Sequence, residues 1–157
     1  SIDRDNYQTQ LASNHSVAIA PGGAREAMFS EMGRGNKIQM LRRHRFIWIE
    51  YAMYNNTDIV PVLSIGEASG YRMYPSWKSL QKLSYKLTGW CFPILNFGAR
   101  FAPWWPNENG VLTLVTGNKL KYSEYASAAD LAEAYYKELQ RLAATQNLEI
   151  EFIVDAH

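Results

Sequence analysis

The chain has 157 residues, 47% of them apolar and 20% charged, with a formal net charge of +1. That is the length and make-up of one globular domain able to bury its own core without a metal or disulfide, and the charge balance supplies no global field for nucleic acid. A single cysteine, Cys91, excludes an internal disulfide, and no run approaches the roughly 18 uninterrupted apolar residues of a spanning helix.

In chain order, Ser16 to Ala20 is a short apolar run with β-branched residues, stopped by Pro21-Gly22-Gly23. It predicts a buried strand entering a sharp turn. Ala24 to Glu31 then predicts a short helix, broken by Gly33 and Gly35. Such a strand, glycine turn and helix N-terminus bring backbone N–H groups together where an anion can sit. Arg34, Lys37, Arg42, Arg43, His44 and Arg45 form a basic cluster poor in acids, either a solvated loop or a contact for anionic lipid head groups. Phe46 to Tyr54 predicts a helix stopped by Asn55-Asn56. Asp58 to Ile65 predicts a strand buried on both faces, with Pro61 requiring an edge position or a bulge and Gly66-Glu67 closing it.

Ser79 to Leu87 predicts a helix with Leu80, Leu83 and Leu87 on one face. Trp90 to Pro106 is rich in Phe, Trp and Pro and has no period. Val111 to Thr116 predicts a strand ended by Gly117-Asn118. Ser127 to Ala144 predicts the strongest helix, capped by Ser127 or Asp130, with an apolar stripe of Leu131, Tyr135, Leu139 and Leu142. Leu148 to Val154 alternates apolar residues with Glu and predicts a half-buried last strand. Alternating strands and helices define an α/β fold with a mostly parallel sheet flanked by helices. The absence of a repeat, low-complexity tract or linker makes residues 1–157 a single domain or one piece of a domain.

Three segments carry a family resemblance in the right order. Ser1-Ile2-Asp3-Arg4 is similar to the Phe-Ile-Asp-Arg block of glycerol-phosphate and lysophospholipid acyltransferases. Ala20-Pro21-Gly22-Gly23-Ala24-Arg25-Glu26-Ala27 resembles the Phe-Pro-Glu-Gly-Thr-Arg block of that superfamily, and more closely the Val-Gly-Gly-Ala-Ala-Glu segment of diacylglycerol acyltransferases. Asp58-Ile59-Val60-Pro61-Val62-Leu63-Ser64-Ile65-Gly66-Glu67 is similar to their Asp-Leu-Val-Pro-x-x-Ser-Phe-Gly-Glu run. The basic run Leu41 to Phe46 and the strand Val111 to Gly117 also fall where the family has counterparts. Gly22 stands where phosphate-handling members carry Glu, which favours the neutral-lipid branch, whereas Arg25 is closer to the phosphate-handling branch.

The resemblance implies an acyltransferase-like fold, the portion downstream of the catalytic His motif, with acyl-CoA as co-substrate, a glycerolipid hydroxyl as acceptor and no resident cofactor. It implies a membrane-associated, peripheral portion, at the endoplasmic reticulum or a mitochondrial membrane. Gly22, Gly23 and Arg25 would line the acceptor pocket, with Arg4 pairing a phosphate or an acidic group and Glu26 orienting either arginine; on a plain reading these are a tight turn, a surface arginine and a first-turn carboxylate. Phe101, Trp104 and Trp105 would dip into a membrane interface or anchor a partner, or else pack their own loop.

The family's general base is the His of His-x-x-x-x-Asp, or of His-Pro-His-Gly in the neutral-lipid branch. Here His15 is followed five residues on by Ala20 and His44 by Ile49, and His157 is last. No catalytic residue is assigned, no His or Cys spacing suits zinc, and Ser64 lacks the leading glycine of a nucleophile elbow. Two readings therefore stand. One is part of a glycerolipid O-acyltransferase whose base lies upstream. The other is a catalytically inactive acyltransferase-like subunit of a larger membrane-associated complex, with protein partners and no nucleic acid.

Overall fold

The computed structural model describes residues 4–21, 37–42, 46–66, 75–88 and 111–154. The elements in chain order are α1 (Arg4–Ala12), β1 (Lys37–Arg42), α2 (Ile47–Tyr54), β2 (Val62–Ile65), α3 (Pro75–Thr88), β3 (Thr113–Thr116), a 3-10 turn (Tyr122–Glu124), α4 (Ala128–Thr145) and β4 (Glu149–Val154). Helices flank a parallel pair, β1 with β4, and β2 pairs antiparallel with β3. The α/β class read from the sequence holds.

The strongest predicted helix is the hub. Ser127 caps α4 by accepting the Asp130 N–H at 3.2 Å, while its hydroxyl donates to the Asp130 carboxylate at 2.7 Å. The predicted stripe of Leu131, Tyr135, Leu139 and Leu142 is buried. It packs with Ile49 and Ala52 of α2, Leu63 of β2 and Ile150 of β4 in one cluster. Edge-to-face aromatic pairs tie the same elements: Phe46 with Tyr136 at 5.5 Å, Tyr136 with Phe152 at 4.9 Å and Trp48 with Tyr135 at 5.2 Å. Leu131 and Leu139 are fully buried, and each contributes about 2–3 kcal/mol of transfer free energy.

β1 was not predicted. Its register runs from Lys37 opposite Glu149 to Arg42 opposite Val154. Ile38 and Met40 pack on the core beside Ile150 and Phe152, and Gln39 donates to the Glu151 carboxylate at 3.2 Å. Four cations in nine residues masked this period-2 pattern. At Lys37 and Arg42 the pairing also corrects the solvated-loop reading of the basic cluster. Lys37 lies 3.5 Å from Glu149, and Arg42 pairs with Glu133 of α4 while stacking over Tyr136. Arg34, Arg43, His44 and Arg45 lie outside the described residues.

The run Asp58 to Ile65 is corrected from buried on both faces to buried on one. Ile59, Pro61 and Leu63 point inward, whereas Val60 and Val62 are about half exposed. An antiparallel pair needs only one covered face. Pro61 sits between the Ile59–Leu120 bridge and β2, and its carbonyl accepts the Gly117 N–H at 2.8 Å. Gly66 closes β2 with φ +96°, and a Cβ there would overlap the Val111 carbonyl.

Ser16 to Ala20 is corrected from buried strand to an unpaired segment. It has no strand partner among the described residues, and Val17 is exposed. The predicted helix at α3 is longer than expected and its leucine face is solvent-facing: Leu80, Leu83 and Leu87 are 60%, 52% and 75% exposed. Asn56 ends α2 in the left-handed region as predicted, and Asn14 and Asn147 do the same after α1 and α4. The predicted helix at 24–31 and the aromatic stretch at 90–106 lie outside the described residues.

Candidate functional site

Helix α1 starts at Arg4, the last residue of the first family-like block, and was not predicted because its composition is polar. Among its described side chains only Tyr7 and Leu11, spaced i and i+4, are buried, and this pair is the signal the sequence held. Tyr7 fixes the helix to α2. Its hydroxyl donates to the Trp48 carbonyl at 3.3 Å, its ring meets that of Tyr51 at 6.3 Å, and burial pushes its phenol above the ordinary value.

The helix ends by a left-handed Asn14, with the His15 N–H donating to the Gln10 carbonyl at 3.0 Å. The chain then turns back, and Val17, Ala18, Ile19 and Ala20 form one wall of a groove of about 300 Å³. Asn6, Tyr7 and Gln10 form the other wall. The groove is apolar along residues 17–20 and carries two amides at its rim. An aliphatic chain suits the apolar wall, and Asn6 and Gln10 can each donate to or accept from an ester or hydroxyl. The next residues are Pro21 and the Gly22-Gly23 turn. In sequence the groove residues fall between the first two family-like blocks, and the reversal after α1 sets residues 17–20 against Asn6, Tyr7 and Gln10.

Among the predicted site residues, Arg4 is the first residue of α1. Gly22, Gly23, Arg25 and Glu26, and the predicted interface residues Phe101, Trp104 and Trp105, lie outside the described residues. Asn6, Tyr7 and Gln10 were missed, since no motif marks them. A second, smaller cavity of about 220 Å³ is lined by Arg42, Phe46, Glu50, Ala128, Ala129, Ala132 and Glu133. Its cation is already paired with Glu133. No group of three His, Cys, Asp or Glu among the described residues has metal-site geometry.

The other polar construction missed by the sequence is a buried carboxylate on α4. Glu138 occupies an i+3 position within the apolar stripe, which was the available signal. Its Oε1 accepts from the Asn118 N–H at 2.6 Å and from Arg141 Nη2 at 2.7 Å, and its Oε2 accepts from Arg141 Nε at 2.8 Å. The Arg141 guanidinium, and then the Asn118 N–H, hold the carboxyl below its ordinary range against the opposing effect of burial. Gly117 lies so close that a Cβ would come within 3.0 Å of Glu138 Oε1 and 3.1 Å of Leu142 Cδ1. Nearby, Lys119 bonds to Asp58 at 3.0 Å and, with the Tyr122 N–H, lowers the Asp58 carboxyl. Both carboxylates fasten the segment after β3, and neither borders the groove.

The family-like blocks, carried on a helix-flanked α/β core, are those of an acyltransferase-like domain. The diacylglycerol acyltransferase family profile matches residues 1–118. The chain belongs to the diacylglycerol acyltransferase family. It is similar to diacylglycerol O-acyltransferase 2B of Umbelopsis ramanniana, 31% identical over 116 residues, covering 66% of this chain and 32% of that protein. It is also similar to diacylglycerol O-acyltransferase 1 of Saccharomyces cerevisiae, 33% identical over 79 residues, covering 50% of this chain and 18% of that protein. The chain thus spans about a third or less of the length of these relatives. No solved structure matches it.

The family match ends at residue 118, but the core does not. Nine of the thirteen residues of the buried cluster, from Leu120 to Ile150, come after it. Helix α4 and β4 therefore complete the hydrophobic interior on which the family segment folds.

Proposed function

We propose that this chain forms the acceptor-side part of a glycerolipid O-acyltransferase. The acceptor hydroxyl attacks the thioester carbonyl of acyl-CoA. An ester forms, the thioester C–S bond breaks, and coenzyme A leaves as the thiol after taking up a proton equivalent to the one the hydroxyl loses. Residues 1–157 contain neither His motif of the superfamily, so their contribution to the step is binding and orientation, and proton removal falls to a histidine outside them. Membrane lipid is the acceptor, and the domain meets it peripherally; no described helix is long and apolar enough to cross a membrane.

The observation that carries the reading is the groove of Asn6, Tyr7, Gln10 and residues 17–20, which lies within the matched family region. Its apolar wall takes the acceptor's acyl chain, and Gly22, Gly23, Arg25 and Glu26 follow that wall directly in sequence. The test is acyl transfer by the full-length protein with diacylglycerol in mixed micelles. Ala18→Trp and Ala20→Trp fill the groove, and each raises the acceptor KM on the order of tenfold while leaving the acyl-CoA KM unchanged. Unchanged acceptor KM in both variants removes the groove from the acceptor path. A full-length protein without any turnover, under conditions where a related enzyme works, favours the inactive subunit of a membrane-associated assembly.

A further inference from the structure

Charge is distributed unevenly along this chain. Residues 68–107 contain five cations, Arg72, Lys78, Lys82, Lys86 and Arg100, and no Asp or Glu. That forty-residue stretch carries a net charge of +5 against +1 for the whole, so the remaining residues carry −4. Four of the five tryptophans fall in the same stretch: Trp77, Trp90, Trp104 and Trp105. At its centre is α3, Pro75–Thr88, which has no acidic residue.

Helical spacing sorts α3 into two faces. Lysine recurs at every fourth residue of its sequence, at positions 78, 82 and 86, the spacing of one helix face. Leu80, Leu83 and Leu87 share the spacing of a different face. The leucines are 60%, 52% and 75% exposed, and no described element packs extensively on the helix. An apolar stripe left in water costs free energy without a partner, and a helix with lysines opposite leucines and no acid matches one partner best. That partner offers hydrocarbon at one depth and negative charge just above it.

We propose that α3 lies in the plane of an anionic lipid surface, with Leu80, Leu83 and Leu87 in the acyl boundary and Lys78, Lys82 and Lys86 among the head groups. The basic ends of β1 do not serve this role, because Lys37 and Arg42 are neutralised by Glu149 and Glu133. The proposal deepens the acyltransferase reading and rests on it for the identity of the membrane as the acceptor's source.

The test is co-sedimentation of the full-length protein, freed of detergent, with vesicles of phosphatidylcholine alone or with 30% phosphatidylserine, about that fraction giving a surface potential of physiological size. The protein partitions onto the serine-containing vesicles, and raising the ionic strength weakens this. Each of Lys78→Gln, Lys82→Gln and Lys86→Gln weakens partitioning about fivefold. Leu83→Ser and Leu87→Ser each weaken it on the order of tenfold. Circular dichroism unchanged from the parent keeps misfolding out of the comparison. Partitioning that ignores phosphatidylserine, or that survives both leucine substitutions, overturns the proposal. So does a concentration-dependent dimer that Leu83→Ser dissociates, since the stripe would then face a second copy. Acyl transfer in neutral detergent micelles separates the two readings. Variants that lose vesicle binding but keep micellar activity support α3 as the membrane contact, whereas failure of the micellar reaction in the parent protein concerns only the acyltransferase reading.

Discussion

Replacing Glu138 tests how β3 is held on α4. In Glu138→Ala both oxygens are lost. The Asn118 N–H, bonded at 2.6 Å and partly buried, is left without an acceptor, which costs about 1–3 kcal/mol. The removed side chain is only 10% exposed, so a small void adds to this. Arg141 contributes less: its side chain is 49% exposed, and a guanidinium returning to water gives up only a screened ion pair. The sum is about 2 kcal/mol, equivalent to about 4–8 °C in Tm for a chain of this size. Glu138→Gln keeps an amide oxygen for Asn118 and loses the charge assistance, so about 1 kcal/mol is expected. Arg141→Ala falls below that. Urea denaturation followed by tryptophan fluorescence gives the three values. Glu138→Ala within 0.5 kcal/mol of the parent (about the range of an ordinary surface substitution), or Glu138→Gln as costly as Glu138→Ala, would refute the reasoning.

The same carboxylate sets a pH response. Its folded-state pKa lies below the ordinary carboxylate value because of Arg141 first and the Asn118 N–H second. Its contribution is therefore complete above the unfolded value and is lost as pH falls through the folded one; stability plotted against pH declines below about pH 4.5, and Glu138→Gln is flatter there. Leu139→Ala, at a fully buried position, costs about 2–5 kcal/mol, whereas Leu114→Ala, 65% exposed, changes the urea midpoint negligibly. Gly66→Ala forces a Cβ onto the Val111 carbonyl at φ +96° and costs about 3 kcal/mol or more, seen as poor soluble yield or a lowered Tm. Truncation after residue 118 keeps the whole family match and removes most of the buried cluster, so it yields a chain without a cooperative thermal transition.

Much of this protein was legible from the order of its residues. Family membership followed from short blocks whose glycines and prolines serve local geometry, and Gly66 shows why such a residue is readable: its conformation is demanded by its own backbone. Helix α4 was readable because Ser127 and the stripe from Leu131 to Leu142 lie within one stretch of chain. The strand Glu149–Val154 announced itself by alternation. These are signals of period and capping, which act over a few residues.

What needed the tertiary structure depends on partners distant in sequence. β1 exists because Ile38 and Met40 meet a strand more than one hundred residues later; its cations concealed the period until Glu149 and Glu133 supplied their counter-charges. Ser16 to Ala20 has a strand's composition but no described partner, so its apolar residues line a groove against α1. Asn6, Tyr7 and Gln10 became site candidates only when the turn at residues 13–15 placed them opposite that segment. Glu138 looked like one more helix glutamate until Gly117 and Asn118 arrived beside it. Local sequence determined which segments become helix or strand. Long-range packing decided which faces are covered, which charges are neutralised and where a ligand-sized space remains, because burial and Coulomb attraction depend on distance in space and not along the chain.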